Sequence, residues 1–110
     1  MPDYSNINWE MKKKIYPINS IVQGTVAHHA HFGFFVDISD NDVVGLIEIV
    51  NFIDGEKIVT INMFPPVGTF IIAKIIGYRE ERLDSNQILM TTKPSEIRTA
   101  IDYDPEKHKL

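Results

Sequence analysis

The sequence predicts an all-β fold in which five short strands close into a small barrel, with short helical segments at the two ends. Five runs rich in Ile, Val, Phe and Thr are separated by turn-forming residues. Only one connection, residues 50–67 between the third and fourth runs, is long. Five strands are too few for an immunoglobulin-like sandwich. The pattern is typical of a closed Greek-key barrel of the OB type, which leaves no sheet edge exposed.

The chain of 110 residues is long enough for one domain and too short for two. It contains no cysteine, which excludes disulfide frameworks, cysteine zinc sites and thiol nucleophiles and fits a reducing cytoplasm. No apolar run approaches the roughly 18 residues that cross a membrane, and the N-terminal residues do not resemble an export signal. We therefore expect a cytoplasmic protein that does not enter membranes.

The first three runs are divided by a bend and by a polar turn. The first is Ile18–His29, in which Gly24 predicts a bend, because glycine within a strand often marks one. The second, Phe32–Ser39, ends in the polar segment Ser39–Asp42, and the third, Val43–Ile49, follows at once. The second and third runs are predicted to form a hairpin with a loop of about four residues.

The last two runs follow the long connection. They are Thr69–Arg79 and Gln87–Thr92, with a turn at Asp84–Asn86 between them. The connection itself is too apolar to be disordered. Its pattern predicts a helical turn at Asn51–Asp54 and permits an extra short strand at residues 58–63.

The two ends of the chain lie outside the predicted barrel. Residues 7–15 are a candidate helix around Trp9, and Pro94 at a first helical position predicts a second helix to about Ile101. The resulting organisation is an N-terminal extension over residues 1–17, a barrel domain over residues 18–93 and a helical tail over residues 94–110.

The segment from Phe32 to Ile38, FGFFVDI, carries the strongest functional signal. Strict alternation would place Phe35 on the face opposite to Phe32 and Phe34. A bulge at Gly33 would instead bring Phe32 and Phe35 together on the outer face, with Phe34 inside. Adjacent exposed rings can stack on the bases of single-stranded nucleic acid, at about 1–3 kcal/mol per base. The ordinary alternative is that these phenylalanines belong to the core.

This segment and several shorter ones follow one another in a specific order. They are Gly24-Thr25-Val26, the Phe32–Ile38 segment after five further residues, Val44–Ile49, Pro66–Thr69, Ala73–Ile76 and Ile88–Thr91. Over residues 18–93 the chain thereby resembles the S1 RNA-binding domain family. The resemblance implies an OB-fold barrel whose outer face binds single-stranded RNA through the two matching aromatics, Phe32 and Phe35.

The charge of the chain limits the affinity expected for RNA. The formal net charge is −4 at pH 7, whereas binding to a phosphate backbone depends on Lys and Arg. Where the S1 family usually has a histidine, this chain has Glu48, whose carboxylate repels phosphate. The candidate phosphate contacts are Lys74, Arg79 and Arg82. We therefore expect RNA binding of modest affinity.

Three histidines, His28, His29 and His31, precede the aromatic segment. Without cysteine or a second cluster they do not predict a metal site. His28 and His31 are candidate contacts to a base or a phosphate, and the alternative is a partly exposed polar loop. The carboxylates near residue 40 belong to a turn for conformational reasons, so neither catalysis nor a cofactor is expected.

The fourth strand suggests a function of another class. Alternation gives it two apolar faces, interrupted only by Lys74: Phe70, Ile72, Ile76 and Tyr78 on one, and Ile71, Ala73 and Ile75 on the other. One face must be covered, either by the terminal segments around Trp9 and Ile97 or by another protein chain. The alternative function is therefore an acidic protein-binding module, an inhibitor, immunity-type or mimic protein that has lost RNA binding. Homodimerisation through the fourth strand is left open.

Overall fold

A computed structural model of the chain describes residues 4–55, 59–80 and 86–97, with only the backbone for residues 4–8. Each of its five strands coincides with a predicted run, and the ends differ by at most three residues. None of the helices in these ranges is long and apolar enough to cross a membrane. The elements are α1 (Tyr4–Ile15), β1 (Ile21–Ala30), β2 (Gly33–Asp37), β3 (Val44–Glu48), β4 (Phe70–Arg79) and β5 (Gln87–Thr91).

The strands form a closed barrel in the order β1-β2-β3-β5-β4, which confirms the predicted all-β OB-type architecture. β1 pairs with β2 through its C-terminal half and with β4 through its N-terminal half, and this double pairing closes the barrel. β3 and β5 are parallel, and the other neighbours are antiparallel. A parallel pair cannot be joined by a tight hairpin, so the chain passes through the long connection and β4 between them.

The core consists of alternate residues from all five strands. Phe34, Val36 and Ile38 point inward, as the alternation of β2 predicts, and each is at most 9% exposed. Their partners from the other strands are Val26, Ile47, Ala73, Ile75, Ile88 and Met90.

The connection between β3 and β4 closes one end of the barrel. Phe52 and Phe64 lie against Phe34, with ring centroids 5.5 and 5.1 Å from it. The Thr91 and Thr92 hydroxyls donate to backbone carbonyls of this connection, each at 2.8 Å. Packing of aromatic rings and hydrogen bonds from β5 together fix the connection on the barrel.

Two local predictions for this connection are corrected. A 3-10 turn forms at Ile49–Asn51, earlier than the helical turn predicted at Asn51–Asp54. The extra strand predicted at residues 58–63 is wrong for the described residues 59–63, where Ile61–Met63 form a second 3-10 turn. The physical reason is the closure of the barrel: the five paired strands leave no free edge on which a further strand could pair.

Helix α1 packs against the other end, where β2 stops. Trp9 is only 5% exposed, meets Tyr78 edge to face at 5.7 Å and donates from Nε1 to Glu80 at 3.1 Å. Lys12 and the Tyr16 hydroxyl both donate to Asp40 Oδ2 at 2.8 Å. The hydrogen bond from Lys12 holds the pKa of the Asp40 carboxyl below its usual value.

A bulge at Ile76 changes the predicted faces of β4. The pairing with β5 steps from Ile75 to Gly77, so Ile76 is inserted and Tyr78 turns into the barrel opposite Ile88. The prediction that Tyr78 shares a face with Phe70 and Ile72 is therefore wrong.

Phe70 and Ile72 remain on the outside, 62% and 40% exposed, and the described residues do not cover them. Trp9 packs against Tyr78, so the predicted cover from the segment around Trp9 is found at Tyr78 and is wrong for Phe70 and Ile72. Near the C-terminus a helical turn begins at Pro94, and Glu96 accepts a hydrogen bond from Lys74 at 2.9 Å. The rest of the predicted tail, residues 98–110, lies outside the described residues.

Candidate functional site

Two phenylalanine rings lie side by side on the outside of the barrel. Phe32, in the turn between β1 and β2, is 49% exposed, and Phe35 is partly exposed on the outer face of β2. Their ring centroids are 5.9 Å apart, and the planes are perpendicular. Phe34 between them is completely buried. The expectation that Phe32 and Phe35 are neighbours at the surface is met, and their role in binding stays a prediction.

The predicted bulge at Gly33 is wrong. β2 pairs with β3 from Gly33 to Val36 without an inserted residue. Phe32 reaches the outer face because it precedes β2 and belongs to the turn, so strand alternation does not constrain it. Gly33 is required for another reason: a Cβ there would lie 2.1 Å from the carbonyl oxygen of Ile47, on the neighbouring strand.

The bulge that shapes this face lies in β1 instead. The pairing with β2 shifts between Val26 and His28, which leaves Ala27 unpaired and brings His28 opposite Phe35. The His28 imidazole stacks on the Phe35 ring, with centroids 6.1 Å apart and an angle of 26° between planes. Sequence reasoning named His28 but did not find this bulge, because alanine gives no local signal for one.

The three histidines are placed differently. His28 is exposed beside Phe35, and His31 is exposed in the turn next to Phe32. His29 points the other way: its Nε2 is 2.7 Å from the Pro65 carbonyl oxygen, and its ring meets Phe64 edge to face. In the described ranges no three His, Cys, Asp or Glu side chains are arranged to hold a metal ion. His28 and His31 thus border the exposed rings, and His29 has a packing role.

The predicted phosphate contacts are already engaged or distant. Arg79 donates from Nη2 to Glu48 Oε2 at 3.1 Å, and Glu48 lies opposite Gly33, next to the rings. Lys74 is bound to Glu96 and lies opposite Ile21 of β1, about 20 Å along that strand from His28. Arg82 lies outside the described residues. We call the surface formed by Phe32, Phe35 and His28 the aromatic face. Of the predicted cations that the structure describes, Arg79 is the one whose partner, Glu48, lies next to this face.

The ion pair between Arg79 and Glu48 is only partly buried, with side chains 38% and 29% exposed. A pair in such a solvated position contributes about 0–1 kcal/mol. Arg79 can therefore exchange the carboxylate for a phosphate oxygen at small cost. In the arrangement that the structure shows, however, Glu48 neutralises the charge of Arg79.

The barrel is similar to several solved structures. GSP13 from Bacillus subtilis is 23% identical with a TM-score of 0.59, over 86% of this chain and 65% of that one. The uncharacterized protein MJ1198 from Methanocaldococcus jannaschii is 22% identical with a TM-score of 0.52, over 70% and 92%. The alpha subunit of aIF2 from Pyrococcus abyssi is 18% identical with a TM-score of 0.55, over 72% and 30%.

These likenesses show the fold. The chain spans less than two thirds of the length of GSP13 and less than one third of that of the aIF2 alpha subunit. No protein-family model matches the chain, and no curated protein does.

Proposed function

We propose that this domain binds single-stranded RNA without catalysing a reaction, and that bases stack on Phe32 and Phe35. The observation that carries the proposal is the pair of exposed rings 5.9 Å apart on the outside of β2, extended by the His28 imidazole on Phe35. OB barrels use this face of the second and third strands and the adjoining loops to bind oligonucleotides. Each stacked base contributes about 1–3 kcal/mol.

The geometry of the rings favours single strands. The planes of Phe32 and Phe35 are perpendicular, so the two rings cannot stack on bases that are parallel to each other. Two successive nucleotides that occupy both rings must be unstacked, which a duplex does not allow without disruption. A flexible single strand can turn between one ring and the next.

The charges of the chain make the affinity modest. The net charge is −4, and Arg79 is paired with Glu48, which lies opposite Gly33. Each phosphate neutralised on a single strand contributes about 0.7 to the slope of log affinity against log salt, so one or two contacts give a shallow dependence. We expect dissociation constants in the micromolar range at low salt.

The test is a titration of a short fluorescein-labelled single-stranded RNA at 20 mM salt, read by fluorescence anisotropy. Wild type should bind, and the double variant Phe32→Ala/Phe35→Ala should bind at least about tenfold more weakly, because two stacking platforms are lost. Phe70→Ala is the matched control, since it removes an exposed phenylalanine of β4 that lies opposite Thr25 of β1, whereas Phe35 lies opposite His28. Absence of binding by wild type, or an equal loss in the control, would contradict the proposal.

A protein-binding module is the second candidate function. The observation that favours it is the apolar surface of β4, where Phe70 and Ile72 are 62% and 40% exposed, together with Val67 before the strand, which is 60% exposed. A second copy of the chain is the simplest partner for such a patch. Sedimentation velocity over a range of concentrations tests this: a dimer that dissociates in Phe70→Ser would support the candidate, and a monomer at all concentrations would oppose it.

A further inference from the structure

An open pocket of about 310 Å³ adjoins the aromatic face. One wall of the pocket is the ring of Phe35. Its aliphatic walls are Ala27, Val43 and Val44, and its polar groups come from Asp37 and Asn41. It lies on the side of Phe35 away from Phe32, because β2 runs from Gly33 beside the turn to Asp37 beside the pocket. An RNA strand that leaves the two rings in this direction reaches the pocket next.

The acidic groups of the pocket differ in what they can offer a ligand. Asp40, which also borders it, is occupied: Oδ1 accepts from the Asp42 amide at 3.0 Å, and Oδ2 accepts from Lys12 and Tyr16. Asp37 is exposed and accepts from the Ser39 amide through Oδ1 at 2.8 Å. Among the residues that the structure describes, nothing donates to Asp37 Oδ2 and no cation pairs with Asp37.

We infer that this pocket takes one RNA base whose Watson–Crick edge has an amino group beside a ring-nitrogen acceptor, cytosine or adenine, with Asp37 accepting from that amino group. The inference rests on the proposed function and adds a base preference to it. A carboxylate accepts a hydrogen bond from the N4 amino group of cytosine, and the amide of Asn41 can donate to a ring nitrogen. Uracil presents a carbonyl oxygen in place of the amino group and a ring N–H in place of the acceptor, so it matches neither Asp37 nor the donating amide of Asn41.

The same arrangement explains an acidic residue on a surface that binds a polyanion. Phosphates remain outside a pocket whose single unneutralised charge is negative, while the base enters it edge first. The aliphatic residues and the edge of Phe35 give the planar base an apolar environment, and Asp37 supplies the polar contact that selects it. Asp37 therefore acts on specificity and does not contribute to phosphate binding.

The test compares two labelled hexanucleotides, oligo(C) and oligo(U), which are both pyrimidine strands of the same length and charge and differ in the groups of the Watson–Crick edge. Wild type should bind oligo(C) about tenfold more tightly. Asp37→Asn keeps the size and an acceptor for the Ser39 amide but can donate to the uracil carbonyl, so the preference should fall below about twofold. Asp42→Asn is the matched control: it removes one negative charge from the same turn outside the pocket and should leave the preference unchanged.

The outcomes separate the two proposals. Equal affinity of the wild-type protein for both oligonucleotides, or an equal change in both affinities in Asp37→Asn, overturns the base preference. The proposed function is retained in that case if Phe32→Ala/Phe35→Ala still loses binding. Absence of binding to either oligonucleotide at 20 mM salt overturns the proposed function itself. Circular dichroism confirms that each variant is folded before it is compared.

Discussion

Replacing Glu48 by glutamine should strengthen RNA binding, because it removes a charge that repels phosphate and releases Arg79 beside the rings. The Arg79–Glu48 pair is 3.1 Å long with side chains 38% and 29% exposed, so both effects act in a largely aqueous environment. Unit charges 4 Å apart interact by about 1 kcal/mol in water, and an exposed ion pair contributes about 0–1 kcal/mol. We therefore expect a gain of about 1 kcal/mol, or about fivefold in affinity, at 20 mM salt.

The assay is the anisotropy titration repeated at several salt concentrations. One additional phosphate contact by Arg79 should steepen the slope of log affinity against log salt by about 0.7. Glu10→Gln is the matched control, since it makes the same change in net charge on α1, where Glu10 pairs with Lys13. An unchanged or weaker affinity in Glu48→Gln, or an equal gain in the control, would show that Glu48 does not weaken RNA binding at this site.

Three further predictions concern stability. In urea unfolding, Gly33→Ala should lower the free energy of unfolding by about 2 kcal/mol or more, because its Cβ would meet backbone atoms of β3. Gly77→Ala should lower it by under about 1 kcal/mol, because a Cβ there would lie 3.9 Å from the nearest side-chain atom. The pKa of Asp40 is lowered in the folded state, so its carboxylate stabilises the fold above the usual aspartate pKa. This contribution is lost as the pH falls through the lower folded value. In thermal unfolding, Asp40→Asn should therefore be less stable than wild type at pH 7 and should lose less stability as the pH is lowered. Trp9→Ala should lower the free energy of unfolding by about 3–5 kcal/mol, measured by denaturant unfolding followed by circular dichroism, because Trp9 is buried. A loss below about 1 kcal/mol would show that α1 is not part of the folded unit.

The strands could be predicted because a barrel of this size imposes a simple alternation on its sequence. Phe34, Val36 and Ile38 are buried where the period of two places them. The adjacency of Phe32 and Phe35 was expected for a reason that proved wrong. The rings meet because Phe32 lies in the turn before β2, and the inserted residue is Ala27 on the neighbouring strand β1.

The bulge in β4 could not be located from the sequence, since Ile75 and Ile76 are equally apolar and either face accepts them. Its effect on Tyr78 decides which side of β4 is covered by α1 and which is exposed. The ion pairs were also beyond local reasoning. Arg79 with Glu48, and Lys74 with Glu96, join residues that are far apart in the sequence, so their neutralisation follows only from the fold.

The proposed function requires that RNA lies on the outer face of β2 that carries Phe35, beside Phe32, and not elsewhere on the barrel. Amide chemical-shift mapping of the isotopically labelled chain during titration with single-stranded RNA tests it most directly. We expect the largest shifts at His28, Phe32, Gly33 and Phe35, with small changes at Phe70. Shifts centred on β4, or spread evenly over the barrel with those four amides unmoved, would contradict it.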